Sequence, residues 1–426
     1  NGYERFCNKE CGRRACDLFT GIQGNNDICN SQLFNTGSNA VISENRTLSA
    51  GKNVIHLEKK GGRTMKRVRG LFACRFLIGI GLLFLSLVLT SESVGAAAPI
   101  TMRYASSTPP VGFTADQEKW IGKEIEKRTE GRVKVEIYFG GSLLKIPEGL
   151  DGVSKGVADM ALIPPLWFPG QIPLITYSQV TSLGPAVEAL KDPHVLGKAL
   201  WKLWDDVPAV RKETEKWNQT VWSFRPMPPY QLFSKVPIQS LGDLSKLRVR
   251  ELGLKGKVMF ATYGAIPTSV TPADMYGALQ KGLLDAAVAS FDWGELYRLT
   301  DVAKYLVMAY FNGGAPSYNI SMDFLKKLTP QDREIIMKLG REFTDTYADA
   351  LAKYVDGLSK KYREAGVNVM QFPEGERQRW RKEGEPKLME IWLKELKEAS
   401  PEDGRKVIET YLTAMGGADV IPWLKK

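Results

Sequence analysis

Cysteine and histidine are nearly missing from this chain of 426 residues. All five cysteines (Cys7, Cys11, Cys16, Cys29 and Cys74) fall within the first 74 residues, and the two histidines are His56 and His194. From residue 75 onward a thiol nucleophile is impossible, and zinc or multi-histidine metal sites lack their donors. A Ser-His-acid triad would have to recruit His194. In Lys191-Asp-Pro-His-Val195 that residue reads as a loop or helix-start position, not a base. Strong charge is missing too once the N-terminal region is set aside. Residues 97–426 carry 45 Lys and Arg against 41 Asp and Glu, a net of +4. A nucleic-acid binder needs a concentrated basic face, so the whole-chain pI near 9.1 misleads. No enzymatic chemistry, cofactor or metal is expected from this inventory.

Long apolar runs are scarce, with one exception. Phe76–Leu89 is almost unbroken Leu, Ile, Phe, Val and Gly, preceded by basic Met65-Lys-Arg-Val-Arg69 and followed by small Val94-Gly-Ala96. Those three parts make a secretory signal peptide. The apolar core is shorter than the ~20 residues a membrane span needs, and Arg75 and Glu92 bound it. Cleavage near Ala96 and export to the periplasm are expected, with an uncleaved anchor as the competing reading. A signal works from an exposed N-terminus, so residues 1–64 read as a misassigned extension ahead of Met65. Their cysteines, with 3, 4 and 12 residues between them, match no paired zinc pattern.

What remains is long enough for two lobes, and its grammar alternates. Ile100–Ala105 and Val133–Tyr138 predict strands, and Asp116–Arg128, with Trp120, Ile121 and Ile125 at helical spacing, predicts the helix between them. A helix over Pro147–Lys155 and a strand over Ala158–Ile163 follow. Strands are predicted at Gln219–Phe224, Leu247–Arg250 and Ala286–Ser290, and helices at Gly256–Tyr263 and Pro272–Lys281. From Thr329-Pro-Gln-Asp332 onward the chain turns long, charged and helical, including one helix over Glu374–Glu398. The expected fold is α/β: a two-lobed, hinged binding protein. Its divisions are lobe I at 97–222, lobe II at 223–312, and a crossing segment with C-terminal helices at 313–426.

Four stretches carry a family likeness. The first is Glu126-Lys-Arg-Thr-Glu-Gly-Arg-Val-Lys-Val-Glu-Ile-Tyr138 running into Gly156-Val-Ala-Asp-Met160, and the second is Asp243-Leu-Ser-Lys-Leu-Arg-Val-Arg250. The third is Tyr263-Gly-Ala-Ile-Pro267 with Met275-Tyr-Gly-Ala-Leu-Gln-Lys-Gly-Leu-Leu-Asp285, and the fourth is Phe324-Leu-Lys-Lys-Leu-Thr-Pro330. Each pattern is weak by itself. In this order, behind a signal peptide, they make the chain resemble the solute-binding subunit of a tripartite ATP-independent periplasmic (TRAP) transporter, of the C4-dicarboxylate-binding-like kind. The likeness covers essentially residues 100–420.

The resemblance implies a non-enzymatic module that closes on a small organic acid and delivers it to a membrane permease on other chains. It implies that the last Arg of the Arg-Val-Arg strand, Arg250, clamps the ligand carboxylate. A guanidinium offers a planar fork that matches a carboxylate with two parallel hydrogen bonds. Arg248 shares its strand face, so one of the two is open to being a sheet-face charge. Arg225 is a candidate second cation. Trp167, Phe168 and Tyr230 lie in loops beside strand ends, where α/β folds place ligands. Ser290, Asp292 and Trp293 close the list, Asp292 with a helix cap as its alternative role. Ala289 stands where sialic-acid-type relatives carry an Asn, which disfavours a sialate. The competing readings are a membrane-anchored receptor on the same fold and a secreted hydrolase.

Overall fold

The computed structural model describes residues 98–251, 253–396 and 399–425. The leader at Met65–Ala96, its cleavage point and residues 1–64 lie outside the described residues. Eleven strands are described: β1 (Ile100–Ala105), β2 (Val133–Tyr138), β3 (Met160–Ile163), β4 (Gln219–Phe224), β5 (Tyr230–Ser234), β6 (Arg248–Arg250), β7 (Ile266–Thr268), β8 (Ala286–Ser290), β9 (Tyr305–Phe311), β10 (Ser317–Ser321) and β11 (Asn368–Gln371). They form a five-stranded sheet in the order β2-β1-β3-β10-β4 and a six-stranded sheet in the order β11-β9-β5-β8-β6-β7. Each sheet is the centre of one lobe. The stretch beyond 313, expected as a crossing segment and C-terminal helices, also adds β10 to the first sheet and β11 to the second.

Both sheets are buried on both faces, so alternate residues of one strand feed different cores. Along β3, Met160 and Leu162 pack with Trp222, Tyr318 and Phe343, whereas Ala161 and Ile163 face the core around Tyr177 and Leu200. Along β8, Ala286 and Val288 join Val249 and Phe260, and Ala287 and Ala289 join Phe233 and Leu306. Strands covered on both sides become continuous apolar runs. The parallel pairs β1–β3 and β6–β8 are of this covered kind, whereas the edge strands β2 and β7 keep exposed residues.

Four crossings join the lobes. Phe224–Tyr230 leads from β4 to β5, and Phe311–Ser317 leads from β9 to β10. The two connectors touch, because the Arg225 amide donates to the Pro316 carbonyl at 2.9 Å. The third crossing is a long helix, Pro330–Glu364, started by Thr329, whose hydroxyl accepts from the Asp332 amide. Its Leu339, Phe343 and Leu351 pack on the first sheet, and its Leu358 and Tyr362 on the second. It lies directly against β4 at Gly340, where a Cβ would stand 2.1 Å from the Trp222 carbonyl oxygen.

The fourth crossing corrects a sequence expectation. Glu374–Glu398 is not one helix: Glu374–Glu383 ends at Gly384, and Glu385–Glu395 begins there. Pro386 lacks the amide a helix interior needs, and the Trp380 ring fills the space where a Cβ at residue 384 would go, 2.4 Å away. The first half packs Trp380 into the second lobe, and the other half packs Leu388, Met389 and Trp392 into the first. Trp120 also departs from expectation. It is 38% exposed, and the buried stripe of helix Phe113–Arg128 is Ala115, Glu118, Ile121 and Ile125. Among the described residues no helix is long and apolar enough to cross a membrane.

Candidate functional site

The site lies where strands of the second sheet end and the connectors begin. Arg250 is the last residue of β6 and Ser290 the last of β8, strands that run parallel as neighbours. Tyr230 opens antiparallel β5 directly opposite Ser290. Asp292 and Trp293 follow β8 by two and three residues, and Arg225 sits at the start of the first connector. Ligands of open α/β sheets gather at such strand ends.

The two arginines of β6 share a face but not a fate. Arg248 donates through Nε and Nη2 to both oxygens of Asp285, at 2.9 and 2.7 Å, and its side chain is 43% exposed. It is a paired surface charge. Arg250 is only 4% exposed. Its Nε donates to the Val270 carbonyl at 2.9 Å and its Nη1 to the Val288 carbonyl at 2.6 Å, and its guanidinium lies 5.7 Å from the centre of the Trp293 ring. Among the described residues no carboxylate comes within salt-bridge distance of it. Burial accordingly pulls its pKa below the ordinary guanidinium range, partly opposed by the Tyr230 hydroxyl. A buried cation without a paired anion is costly, and an arriving carboxylate relieves that cost.

Arg225 lies on the connector between the lobes. Its Nε is buried with no hydrogen-bond partner among the described residues. Its charge acts on Glu118, Tyr318 and Tyr347 from the first lobe and on Tyr230 and Asp292 from the second. Glu118 is fully buried on its helix and accepts from the Ser106 hydroxyl at 2.7 Å and from the Thr108 and Tyr318 hydroxyls at 3.2 Å each. Burial pushes its pKa up, and Arg225 pulls it back. Sequence reading missed Glu118, although an acid on the apolar stripe of an amphipathic helix is a visible signal.

The other expected residues divide. Tyr230 packs its ring 5.8 Å from Trp293, and burial pushes its hydroxyl pKa up to about 12. Ser290 is fully buried and donates its hydroxyl to Asp292, so it positions that carboxylate. Asp292 is the N-cap of a short helix beginning at Trp293, and the Trp293 amide acts on its carboxylate, so both of its expected roles stay open. Phe168 is part of the first lobe's core at 2% exposure, and Trp167 is 51% exposed on the turn after β3. The structure places Arg225, Tyr230, Arg250, Ser290, Asp292 and Trp293 together and buries Phe168 in the first lobe's core instead. Gly152-Val-Ser-Lys-Gly156 has the spelling of a nucleophile elbow, but it ends the helix Gly149–Ser154 instead of turning from strand to helix. His194 is far from it in use, with one ring nitrogen 3.0 Å from Asp349 on the long helix.

Two sheets bridged by paired connectors, with a buried cation at the strand ends, define a two-lobed solute-binding protein. The sequence profile of DctP, the bacterial extracellular solute-binding protein family 7, matches residues 104–395. The chain belongs to that family. A solute-binding protein of Albidiferax ferrireducens is 25% identical over 261 residues, covering 60% of this chain and 75% of that one. The sialic acid-binding periplasmic protein SiaP of Vibrio cholerae is 24% identical over 301 residues, covering 68% and 88%. Among solved structures, a TRAP periplasmic solute-binding protein from Desulfovibrio salexigens superposes with a TM-score of 0.65 at 24% identity, covering 75% of this chain and 96% of its own. One from Rhodoferax ferrireducens with bound malonate gives 0.60 at 21% identity, covering 75% and 100%.

Proposed function

We propose that the protein captures a small organic carboxylate in this cleft, closes about the two connectors, and delivers its cargo to a TRAP membrane permease from the periplasm. The observation that carries the reading is Arg250, a buried guanidinium with no paired carboxylate among the described residues, beside Arg248, whose carboxylate is already supplied by Asp285. Relatives of the same fold hold malonate, pyroglutamate and D-glucuronate, which supports the acid class. Arg225 serves as the second cation, on the lobe I side of the ligand. Buried Ala289 offers no amide, so a sialate is disfavoured. Arrival of the ligand anion shifts the protein toward its closed form by hinge bending at the connectors.

A thermal-shift screen of residues 97–426 against organic acids, neutral sugars and amino acids tests this. One class of acids is expected to raise the melting temperature by several degrees, since binding to the folded state alone stabilises it. Stabilisation by neutral sugars only, with every acid silent, would remove the carboxylate from the reading.

A further inference from the structure

Asp292 is a further charged side chain, on the turn that follows β8. It is only partly covered, and among the described residues it has no ion pair. The Ser290 hydroxyl donates to its Oδ1, and the amides of Asp292 and Trp293 lean toward it. The charged and titratable groups around it come from every neighbouring element. Arg225 faces it from the first connector, Tyr230 from β5, Tyr297 from just past the short helix Trp293–Leu296, and Tyr347, Tyr354 and Tyr362 from the long helix. Burial raises its pKa, opposed by the Ser290 hydroxyl, the Arg225 charge and the two amides.

Arg250 and Asp292 act on the same two hydroxyls, those of Tyr230 and Tyr297. The Arg250 guanidinium also stands 5.7 Å from the ring of Trp293, the residue after Asp292, so a carboxylate seated on Arg250 lies within electrostatic reach of the Asp292 carboxylate. Two like charges so placed repel unless a donor stands between them. Ser290, the two amides and the Arg225 charge already serve the Asp292 carboxylate, and its remaining acceptor capacity is open to a donor that the ligand carries.

We infer that Asp292 sets specificity by accepting a hydrogen bond from a hydroxyl or ammonium group that the ligand carries close to the carboxylate held by Arg250. The cargo is then a hydroxy acid or an amino acid, and a bare mono- or dicarboxylate is discriminated against. This rests on the carboxylate-capture reading and adds to it a choice within the acids.

Calorimetric titration with matched probes tests it: L-malate against succinate, L-lactate against propionate, and L-alanine against propionate. In at least one matched pair the donor-bearing acid is expected to bind about tenfold tighter or more, the range of a hydrogen bond to a charged group. Lactate against alanine separates hydroxyl from ammonium as the donor. Asp292→Ala is expected to narrow the preference to within about threefold. Asp292→Asn keeps the shape and Ser290 contact should the alanine variant melt early, and it too is expected to lose ammonium binding. Equal binding of matched acids by the wild-type protein, or full discrimination in both variants, would overturn the inference while leaving carboxylate capture intact. Silence of every acid, donor-bearing or bare, would instead overturn carboxylate capture itself, and this choice with it.

Discussion

Arg250→Ala is expected to abolish acid-induced thermal stabilisation while leaving a folded protein. Removing one partner of a buried, hydrogen-bonded charge pair costs about 2–5 kcal/mol in binding, which is a loss of roughly thirtyfold to several thousandfold in affinity. At ligand concentrations that stabilise the wild-type protein, nothing would remain to measure. The ligand-free variant loses donors to the Val270 and Val288 carbonyls but is also relieved of a buried cation without a paired anion. The two effects oppose, so its own melting temperature changes little. Arg248→Ala is the matched control on the same strand face. Its pair with Asp285 is exposed and worth at most about 1 kcal/mol, and acid binding should survive unchanged. Arg248 holds the Asp285 carboxyl below the usual carboxylate range. A depressed folded-state pKa contributes stability above the unfolded value, near 3.9, and loses it as pH falls through the folded value. The small Arg248→Ala penalty is accordingly expected at neutral pH and should fade in acid. Unchanged acid affinity in Arg250→Ala would remove the clamp.

The second large effect lies away from the cleft. Arg377, on helix Glu374–Glu383, is 2% exposed. It donates to the Ala309 and Tyr310 carbonyls at the end of β9, at 2.7 and 2.9 Å, and to the Pro185 carbonyl at 2.8 Å. Tyr310 holds a left-handed backbone, φ 53°, a conformation that costs a non-glycine residue about 1 kcal/mol or more. One side chain thus pins a strained strand end of the second lobe to the loop that leaves helix Pro173–Val180 of the first. That loop is further held by Glu385, which accepts from the Thr181 and Ser182 hydroxyls and the Ser182 and Leu183 amides. Among the described residues no carboxylate stands within salt-bridge distance, and burial lowers the Arg377 pKa to about 10. Arg377→Ala orphans three carbonyls and leaves a void. A loss of about 3 kcal/mol is expected in denaturant titration, against under about 1 kcal/mol for Arg379→Ala, whose guanidinium is half exposed on the same helix. Equal small losses in both variants would show that the pin holds nothing.

How far the sequence could be read follows from where its signals were local. β1, β2, β4 and β8 start and stop where expected, because alternation or a flanking glycine marks them. β5 and β10 carry no period to read, since all five residues of each are buried. β10 also finds both its partners, β3 and β4, about a hundred residues or more back in the chain. The break at Gly384 depends on where the Trp380 ring settles, which spacing alone does not reveal. In the site, the Arg-Val-Arg strand was legible, but the choice between Arg248 and Arg250 is made by Asp285, 37 residues away from Arg248. Glu118 was legible as an acid on an apolar stripe and was overlooked. Phe168 follows a strand as ligand-facing residues do, yet it turns inward to the core around Ile163 and Ile172.

The most direct test is a crystal structure of residues 97–426 with the acid that gives the largest thermal shift. The expected result is a carboxylate within hydrogen-bond distance of the Arg250 fork, between the two lobes and beside Trp293. An acid seated on Arg248, or bound outside the cleft with Arg250 still unpaired, would contradict it.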